Sequence, residues 1–322
     1  MTFSRIAGTG GYLPDRVMTN KEMESIVETS DDWIYERSGI RQRHIVADGE
    51  MTSDMALAAA KEALKAAEID ASEVDLIVVA TTTPDRIFPS VACILQRKLG
   101  VKNCPAFDVH AACSGFVFAL DIVDRFIRTG GARCALIVGA EIYSRIIDWT
   151  DRGTCVLFGD GAGAVVIHAS EEPGVIATEV NSDGNYEDLL YVTGGPASGV
   201  EALIKDAAYI KMKGHEVFRQ AVGKLGSIAK DALEGNGFEQ KDLTWLVPHQ
   251  ANLRIIKATA KKLGLSMDKV VVTVDKHANT SSASIPLALD TAIRDGRIQR
   301  GDLLLLEAFG AGLTWGYGLI RY

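Results

Sequence analysis

The sequence predicts an α/β protein built as two duplicated halves, and three observations carry this prediction. The chain has 322 residues, which at roughly 150 residues per domain corresponds to about two domains. Short apolar runs alternate with helical patterns, which is typical of helices and strands arranged around largely parallel sheets. Short motifs also recur in the same order in both parts of the chain. The strand-like runs are 76–80, 135–139, 164–167, 270–274 and 303–306, and the helical patterns include 54–67 and 219–233.

The recurring motifs indicate a duplication. Ala-Lys-Glu-Ala-Leu at 60–64 returns as Ala-Lys-Asp-Ala-Leu at 229–233, and Ala-Leu-Asp at 119–121 returns at 288–290, both 169 positions later. Two further matches pair 75–80 with 242–247 and 98–100 with 262–264. Four matches in one order, at nearly one spacing, predict two copies of the same α/β unit.

The boundary between the copies is predicted near residues 170–174. We therefore expect an N-terminal half, 1–172, and a C-terminal half, 173–322. A polar, glycine-containing stretch at 179–214 is interpreted as an excursion inserted in the second half.

Composition and charge exclude several classes of protein. Hydrophobic residues make up 47% and charged residues 24%, which is typical of a soluble globular protein. The net charge of −8 disfavours a nucleic-acid-binding protein, because such proteins usually present a basic surface. Five cysteines without a C-x-x-C pair predict a reducing compartment, with neither a disulfide framework nor a metal site. With no signal peptide and no apolar run of the ~18 residues that span a membrane, we expect a cytoplasmic protein.

Cys113 is the first candidate for chemistry. It follows a strand-like run and directly precedes a strongly apolar helical pattern at 116–127. A cysteine at a helix N-terminus meets the positive end of the helix dipole, which predicts a lowered pKa and a nucleophilic thiolate. The alternative is a small buried core residue, which is the interpretation we give to the other four cysteines.

His249 and Asn279 are candidates in the second half. His249 follows an apolar strand that ends in Pro248, and the ends of strands are where open α/β sheets build their sites. The shift of 169 positions places Cys113 opposite Ser282, three residues after Asn279, so both loops are expected to face one central space. A structural histidine and a helix N-cap are the alternatives at these positions.

Glycines that follow the last long strand, in the segment 310–312, could present backbone N–H groups to an oxyanion. The glycines of 158–163 are interpreted as sites of close packing instead. The chain lacks the G-x-S-x-G, G-x-x-x-x-G-K-[ST] and H-E-x-x-H motifs, which argues against those hydrolases, P-loop nucleotide-binding proteins and zinc proteases.

These segments together resemble the β-ketoacyl-acyl-carrier-protein synthase III family of condensing enzymes, over essentially the whole chain. The motifs that carry the resemblance lie at 31–40, 111–116, 248–255, 277–284 and 309–316. A Cys–His–Asn set separates this family from elongating synthases, which use Cys–His–His, and from thiolases, which use a second cysteine. The resemblance implies a thiolase-like fold, with both halves in a layered α-β-α-β-α core.

The resemblance also implies a reaction. Cys113 would accept a short acyl group, such as acetyl, from an acyl-CoA, and the acyl-enzyme would then condense with malonyl-acyl carrier protein. His249 and Asn279 would donate hydrogen bonds to the enolate left by decarboxylation. The backbone N–H groups of Cys113, Gly310 and Ala311 would form the oxyanion hole, although many family members carry glycine at the last of these positions.

The remaining roles are implied in the same way, with no metal and no other cofactor. Residues implied to bind CoA or substrate are Thr29, Trp33, Arg37, Arg152, Phe158, Gly214, Phe218, Ala251 and Asn252. Phe88 would reach across a homodimer to close the partner's acyl pocket. Arg254, Lys257 and Lys261 fall within one 60° sector of a helical wheel and would bind the acidic carrier protein.

Two other functions stay open at this point. A relative on the same scaffold could transfer or condense other acyl groups in secondary metabolism, and would keep Cys113 but use a different acceptor. A non-catalytic descendant of the fold is the third possibility, and the presence of Cys113, His249 and Asn279 speaks against it.

Overall fold

Two large sheets, two small two-stranded sheets and the helices packed against them form the protein in the computed structural model, which describes residues 2–199, 201 and 208–322. The first half contains, in chain order, β1 (Phe3–Tyr12), β2 (Arg16–Thr19), α1 (Asn20–Met23), α2 (Asp31–Ser38), β3 (Gln42–Ile45), α3 (Thr52–Ala67), β4 (Leu76–Ala80), α4 (Val91–Leu99), β5 (Ala106–Val109), α5 (Gly115–Arg128), β6 (Cys134–Glu141) and β7 (Gly161–Ser170). The second half contains β8 (Val175–Ser182), β9 (Leu190–Val192), β10 (Ile210–Met212), α6 (Gly214–Glu234), β11 (Trp245–Pro248), α7 (Leu253–Lys262), α8 (Val274–His277), α9 (Ser284–Arg294), β12 (Leu303–Gly310) and β13 (Thr314–Arg321).

Both halves arrange their strands in the same way. The first sheet has the order β1-β7-β6-β4-β5 and the second has the order β8-β13-β12-β11. In the first sheet β6 and β4 are parallel, and in the second sheet the equivalent strands β12 and β11 are parallel. The next two strands of each sheet, β7 and β1 or β13 and β8, are antiparallel to their neighbours. This common order confirms the predicted fold class. The division at residue 172 stays a prediction, and it falls in the loop that joins β7 to β8.

The helices form three layers around the sheets. One apolar cluster packs α3 and α4 on the outer face of the first sheet, and another packs α6 and α7 on the outer face of the second. A third cluster places α5 and α9 between the sheets. The result is the layered α-β-α-β-α core, in which the two central helices begin at the two loops expected to face each other.

Two buried aspartates join the halves through equivalent contacts. Asp290 on α9 accepts a hydrogen bond from Thr9 on β1, at 2.8 Å, and Asp121 on α5 accepts one from Thr178 on β8, at 2.6 Å. Each aspartate also pairs with an arginine four residues later on its own helix. The two sets are 169 positions apart, so the duplication extends to individual hydrogen bonds.

Two sequence predictions need correction. The predicted strand 270–274 is wrong, because only Val270 forms a single bridge, to Leu246, before the chain turns into α8. The side-chain amide of Gln250 binds the carbonyl of Val271 and two N–H groups at the start of α8, so this backbone finds its partners outside a sheet. The excursion predicted at 179–214 begins later, because β8 pairs with β13 as far as Ser182.

No helix within the described ranges combines the length and apolar character needed to cross a membrane.

Candidate active site

Cys113, His249 and Asn279 line one pocket, although they are far apart in the chain. The pocket encloses about 700 Å³, part of it open to solvent, and its walls are mostly apolar. Five residues that the sequence assigned to substrate also line it, namely Phe158, Gly214, Phe218, Ala251 and Asn252. The two halves thus contribute to one site, as the duplication predicted.

Cys113 lies in a tight turn immediately before α5. Ala112, at the start of this turn, has a left-handed backbone with φ of 46°, and only 4% of Cys113 is exposed. Gly310, the last residue of β12, packs directly against it, since a Cβ added at Gly310 would lie 2.8 Å from the backbone nitrogen of Cys113. Glycine is required there because any side chain would collide with the backbone of the candidate nucleophile.

The pKa of the Cys113 thiol differs from the sequence prediction. The pKa of this thiol is raised to about 12, mainly by burial and to a smaller extent by the nearby Glu141 carboxyl, while a contact with the Ser281 hydroxyl opposes the rise. The predicted lowering by the helix dipole is therefore wrong for the free protein, because loss of hydration outweighs it. The Cys113 thiol is therefore protonated at neutral pH.

His249 is held as a neutral imidazole. Burial lowers its pKa to about 3, and Nδ1 lies 2.5 Å from the hydroxyl oxygen of Ser284. Because that oxygen accepts a hydrogen bond from the Gln250 N–H, at 3.3 Å, its own hydrogen is available for Nδ1. When the hydroxyl donates to Nδ1, the imidazole hydrogen lies on Nε2, and in this tautomer His249 is a hydrogen-bond donor.

Asn279 is fixed through both its backbone and its side chain. Its N–H donates to the carbonyl of Leu157, at 3.0 Å, and its carbonyl accepts from Gly159, at 3.1 Å. Its side-chain Oδ1 accepts from the N–H of Ser281, at 2.9 Å. Because Oδ1 is occupied, the Nδ2 hydrogens are the polar groups that a ligand in the pocket can meet.

A cationic and aromatic cluster lies outside the pocket. The guanidinium carbons of Arg37 and Arg152 are 4.4 and 4.7 Å from the centre of the Trp33 ring, within the range of cation–π contacts. Asn252, which lines the pocket, donates to the carbonyl of Arg37 at 2.9 Å and so connects the two regions. Thr29 lies just before the same helix, α2, with its hydroxyl buried.

The other predicted residues lie away from the pocket walls. Phe88 is 81% exposed and does not line the pocket of its own chain. Arg254, Lys257 and Lys261 are exposed on α7, and the guanidinium of Arg254 lies 5.4 Å from the ring of Phe218 at the pocket. Ala311 follows Gly310 at the end of β12 and is half-buried.

The sequence analysis did not identify four residues of the site. Ser284 orients His249, Ser281 orients Asn279, and Glu141 accepts the hydroxyl of Ser281. Glu307 on β12 is fully buried next to this region, and its backbone carbonyl accepts the N–H of His249. A glutamate within an apolar strand is the signal that could have identified Glu141 and Glu307.

Comparisons with known proteins agree on one family. Residues 107–184 match the family 3-oxoacyl-[acyl-carrier-protein] synthase III, and residues 233–322 match the C-terminal part of the same family. A curated protein from Thioalkalivibrio sulfidiphilus, named β-ketoacyl-[acyl-carrier-protein] synthase III, is 58% identical over 322 residues, all of both chains. One of the same name from Thiobacillus denitrificans is 59% identical over 323 residues, again covering both chains fully.

Solved structures lead to the same family. The crystal structure of 3-oxoacyl-[acyl-carrier-protein] synthase III from Aquifex aeolicus matches with a TM-score of 0.93 at 48% identity. The match covers 99% of this chain and 100% of that one.

Proposed function

The chain belongs to the 3-oxoacyl-[acyl-carrier-protein] synthase III family, and from this premise we propose how its own residues perform the condensation that initiates fatty acid synthesis. The observation that carries the proposal is the convergence of Cys113, His249 and Asn279 in one apolar pocket. Its substrates are a short acyl-CoA and a malonyl-acyl carrier protein, and its products are a β-ketoacyl-acyl carrier protein, CoA and CO₂.

The first half-reaction loads Cys113. The sulfur attacks the thioester carbonyl of the acyl-CoA, the bond to the CoA sulfur breaks, and the thiol proton ends on that sulfur. The tetrahedral intermediate carries an oxyanion, for which the N–H of Cys113 and one from Gly310 or Ala311 are the donors. The close packing of Gly310 on the backbone of Cys113 supports this assignment.

The second half-reaction uses the two neutral donors. The malonyl group loses CO₂, and the charge left on the thioester oxygen accepts hydrogen bonds from His249 Nε2–H and Asn279 Nδ2–H. The enolate carbon then attacks the acyl group, and the Cys113 sulfur leaves and takes up a proton. The lowered pKa of His249 keeps its imidazole neutral, so it remains an N–H donor across the physiological pH range.

Substrate binding follows the surface features around the pocket. We assign the adenine of CoA to Trp33, with Arg37 and Arg152 beside it, and the pantetheine to the route past Asn252 and Phe218. Because carrier proteins are acidic, the basic face of α7 around Arg254 is the proposed docking surface. The proposed steps require no metal and no redox cofactor.

Primer choice depends on the proposed assembly. We infer a cytoplasmic homodimer in which the exposed Phe88 of one chain closes the acyl pocket of the other. A bulky ring at that position favours a short, unbranched primer such as acetyl-CoA.

The test is incubation with radiolabelled acetyl-CoA, followed by addition of malonyl carrier protein. We expect label on Cys113, its loss in Cys113→Ser, and its retention in Cys155→Ser, a buried cysteine outside the pocket. Failure of every acyl-CoA to label the protein would refute the mechanism. Transfer of the label to an acceptor other than the malonyl unit would favour an acyltransferase of secondary metabolism on the same scaffold.

A further inference from the structure

Glu141 is a buried carboxyl that the proposed mechanism does not use. It ends β6, is fully buried, and accepts hydroxyl hydrogen bonds from two separate segments. On one side, Thr82 and Thr83 bind its Oε2 at 3.0 and 2.8 Å. On the other, the hydroxyl oxygens of Ser281 and Ser282 lie 3.1 and 3.0 Å from its Oε1, and the Ser282 hydroxyl also meets the carbonyl of Ala80 at 2.8 Å. One carboxyl therefore joins the segment that leads towards Phe88 to the turn that follows Asn279.

Ser281 connects Glu141 to Asn279 through hydrogen bonds. Its N–H donates to Asn279 Oδ1, and its hydroxyl lies between Glu141 and the hydroxyl of Tyr143, which is 2.8 Å away. The backbone of Ser281 is left-handed, with φ of 51°, a conformation that a residue with a side chain adopts only when its surroundings hold it. The side-chain contacts of Ser281 therefore hold the conformation in which its N–H meets Asn279.

The duplication shows that the fold does not itself require a carboxyl at this place. The shift of 169 positions relates Glu141 to Gly310, and Ser282 to Cys113. Where the second half has Gly310 packed against the backbone of Cys113, the first half has the Glu141 side chain bound to Ser282. The two equivalent positions therefore differ in role. Gly310 leaves room for the backbone of Cys113, and Glu141 forms hydrogen bonds with polar side chains.

We propose that Glu141 is a positioning residue for decarboxylation, which through Ser281 holds the Asn279 amide with its Nδ2 hydrogens towards the malonyl thioester. This inference rests on the proposed function. Because the acyl-CoA half-reaction draws on backbone donors instead of Asn279, loss of Glu141 affects the two half-reactions unequally.

The test is Glu141→Gln, which keeps the volume but replaces one accepting oxygen with an NH₂ group. We expect CO₂ release from malonyl carrier protein to fall, but by less than the ~10²–10³-fold that removal of an oxyanion donor itself costs. Acylation of Cys113 by acetyl-CoA should not fall, because removing the Glu141 charge favours the Cys113 thiolate. In an Asn279→Ala background the same substitution should have a much smaller effect, since its target is already gone.

The matched control is Asp121→Asn, which also removes a buried, hydrogen-bonded carboxylate but touches neither Ser281 nor Asn279. It should lower stability without changing the ratio of the two half-reactions. If Glu141→Gln does not fold, Ser281→Ala removes the same link, and its loss of CO₂ release should likewise shrink in the Asn279→Ala background.

Equal losses in both half-reactions would overturn the inference, as would an undiminished effect in the Asn279→Ala background. A wild-type protein that forms no acyl-enzyme would instead overturn the proposed function, so the two failures are distinguishable.

Discussion

Glu307 makes the stability of this protein depend on pH in a way that one substitution should remove. Its side chain is 0% exposed, and neither carboxyl oxygen has a hydrogen-bond partner within the part of the chain that the structure describes. Burial raises its pKa from the usual 4.5 to about 8, because a charge without partners is poorly tolerated away from water.

The magnitude follows from proton linkage. Between pH 4.5 and about 8 the folded protein keeps this proton while the unfolded chain has lost it, so the folded state binds more protons. The free energy of unfolding therefore falls as pH rises through this window, and the contribution levels off above the folded pKa. At about 1.4 kcal/mol for each pKa unit, the loss is on the order of 5 kcal/mol at most.

The assay is urea denaturation of the wild type and Glu307→Gln at pH 5 and pH 9. Because the glutamine cannot ionise, the free energy of unfolding of the variant should rise relative to that of the wild type by about 4 kcal/mol between pH 5 and pH 9. Glu179→Gln is the control, because Glu179 is an exposed glutamate at a matching place in the same sheet. It lies on β8 and pairs with Tyr317 of β13, which pairs on its other side with Glu307. Parallel pH curves for wild type and Glu307→Gln would refute the reasoning.

Three further predictions concern the reaction. The rate of iodoacetamide labelling of Cys113, followed by peptide mass spectrometry, should be slow at pH 7 and rise about tenfold per pH unit towards the raised pKa near 12. A labelling rate that levels off below pH 9 would contradict a pKa raised by burial. Ser284→Ala should slow CO₂ release about tenfold or more while sparing acylation, because His249 loses the partner of its Nδ1; unchanged CO₂ release would show that the hydroxyl is dispensable. The pair Arg254→Glu and Lys257→Glu should raise the KM for malonyl carrier protein, most strongly at low salt, without affecting the acyl-CoA half-reaction; equal loss in both half-reactions would exclude a docking role.

The repeated motifs made much of the fold predictable. The helical patterns at 54–67 and 219–233 fall within α3 and α6, and the run 76–80 coincides with β4. These elements were predictable because the spacing of apolar residues that indicates a helix or a strand lies within a single stretch of sequence. The run 270–274 has the same apolar character but no strand, because the distant side chain of Gln250 takes its backbone hydrogen bonds.

The sequence named Cys113, His249 and Asn279, which line one pocket, but it indicated neither the buried groups around them nor the pKa of Cys113. The duplication alone indicated that Cys113 and Asn279 face each other. The pKa of Cys113 depends on how completely the second half covers it, and Gly310, which packs against it, comes almost 200 residues later. The contact between Glu141 and Ser281 likewise joins residues 140 positions apart, so neither residue had a local signal for it.

The duplication also separates what the fold needs from what the chemistry needs. The aspartates that join the halves, Asp121 and Asp290, make the same contacts in both copies, as expected of groups that hold the central helices in place. The ends of the central strands differ between the copies, with Glu141 in one and Gly310 in the other. A site with a single nucleophile needs one strand end that leaves room for the cysteine and another that holds the hydrogen-bond donors in place. Two identical strand ends could not provide both. The two copies therefore differ at the ends of β6 and β12, where Glu141 contacts Ser281 and Ser282 and Gly310 packs against the backbone of Cys113.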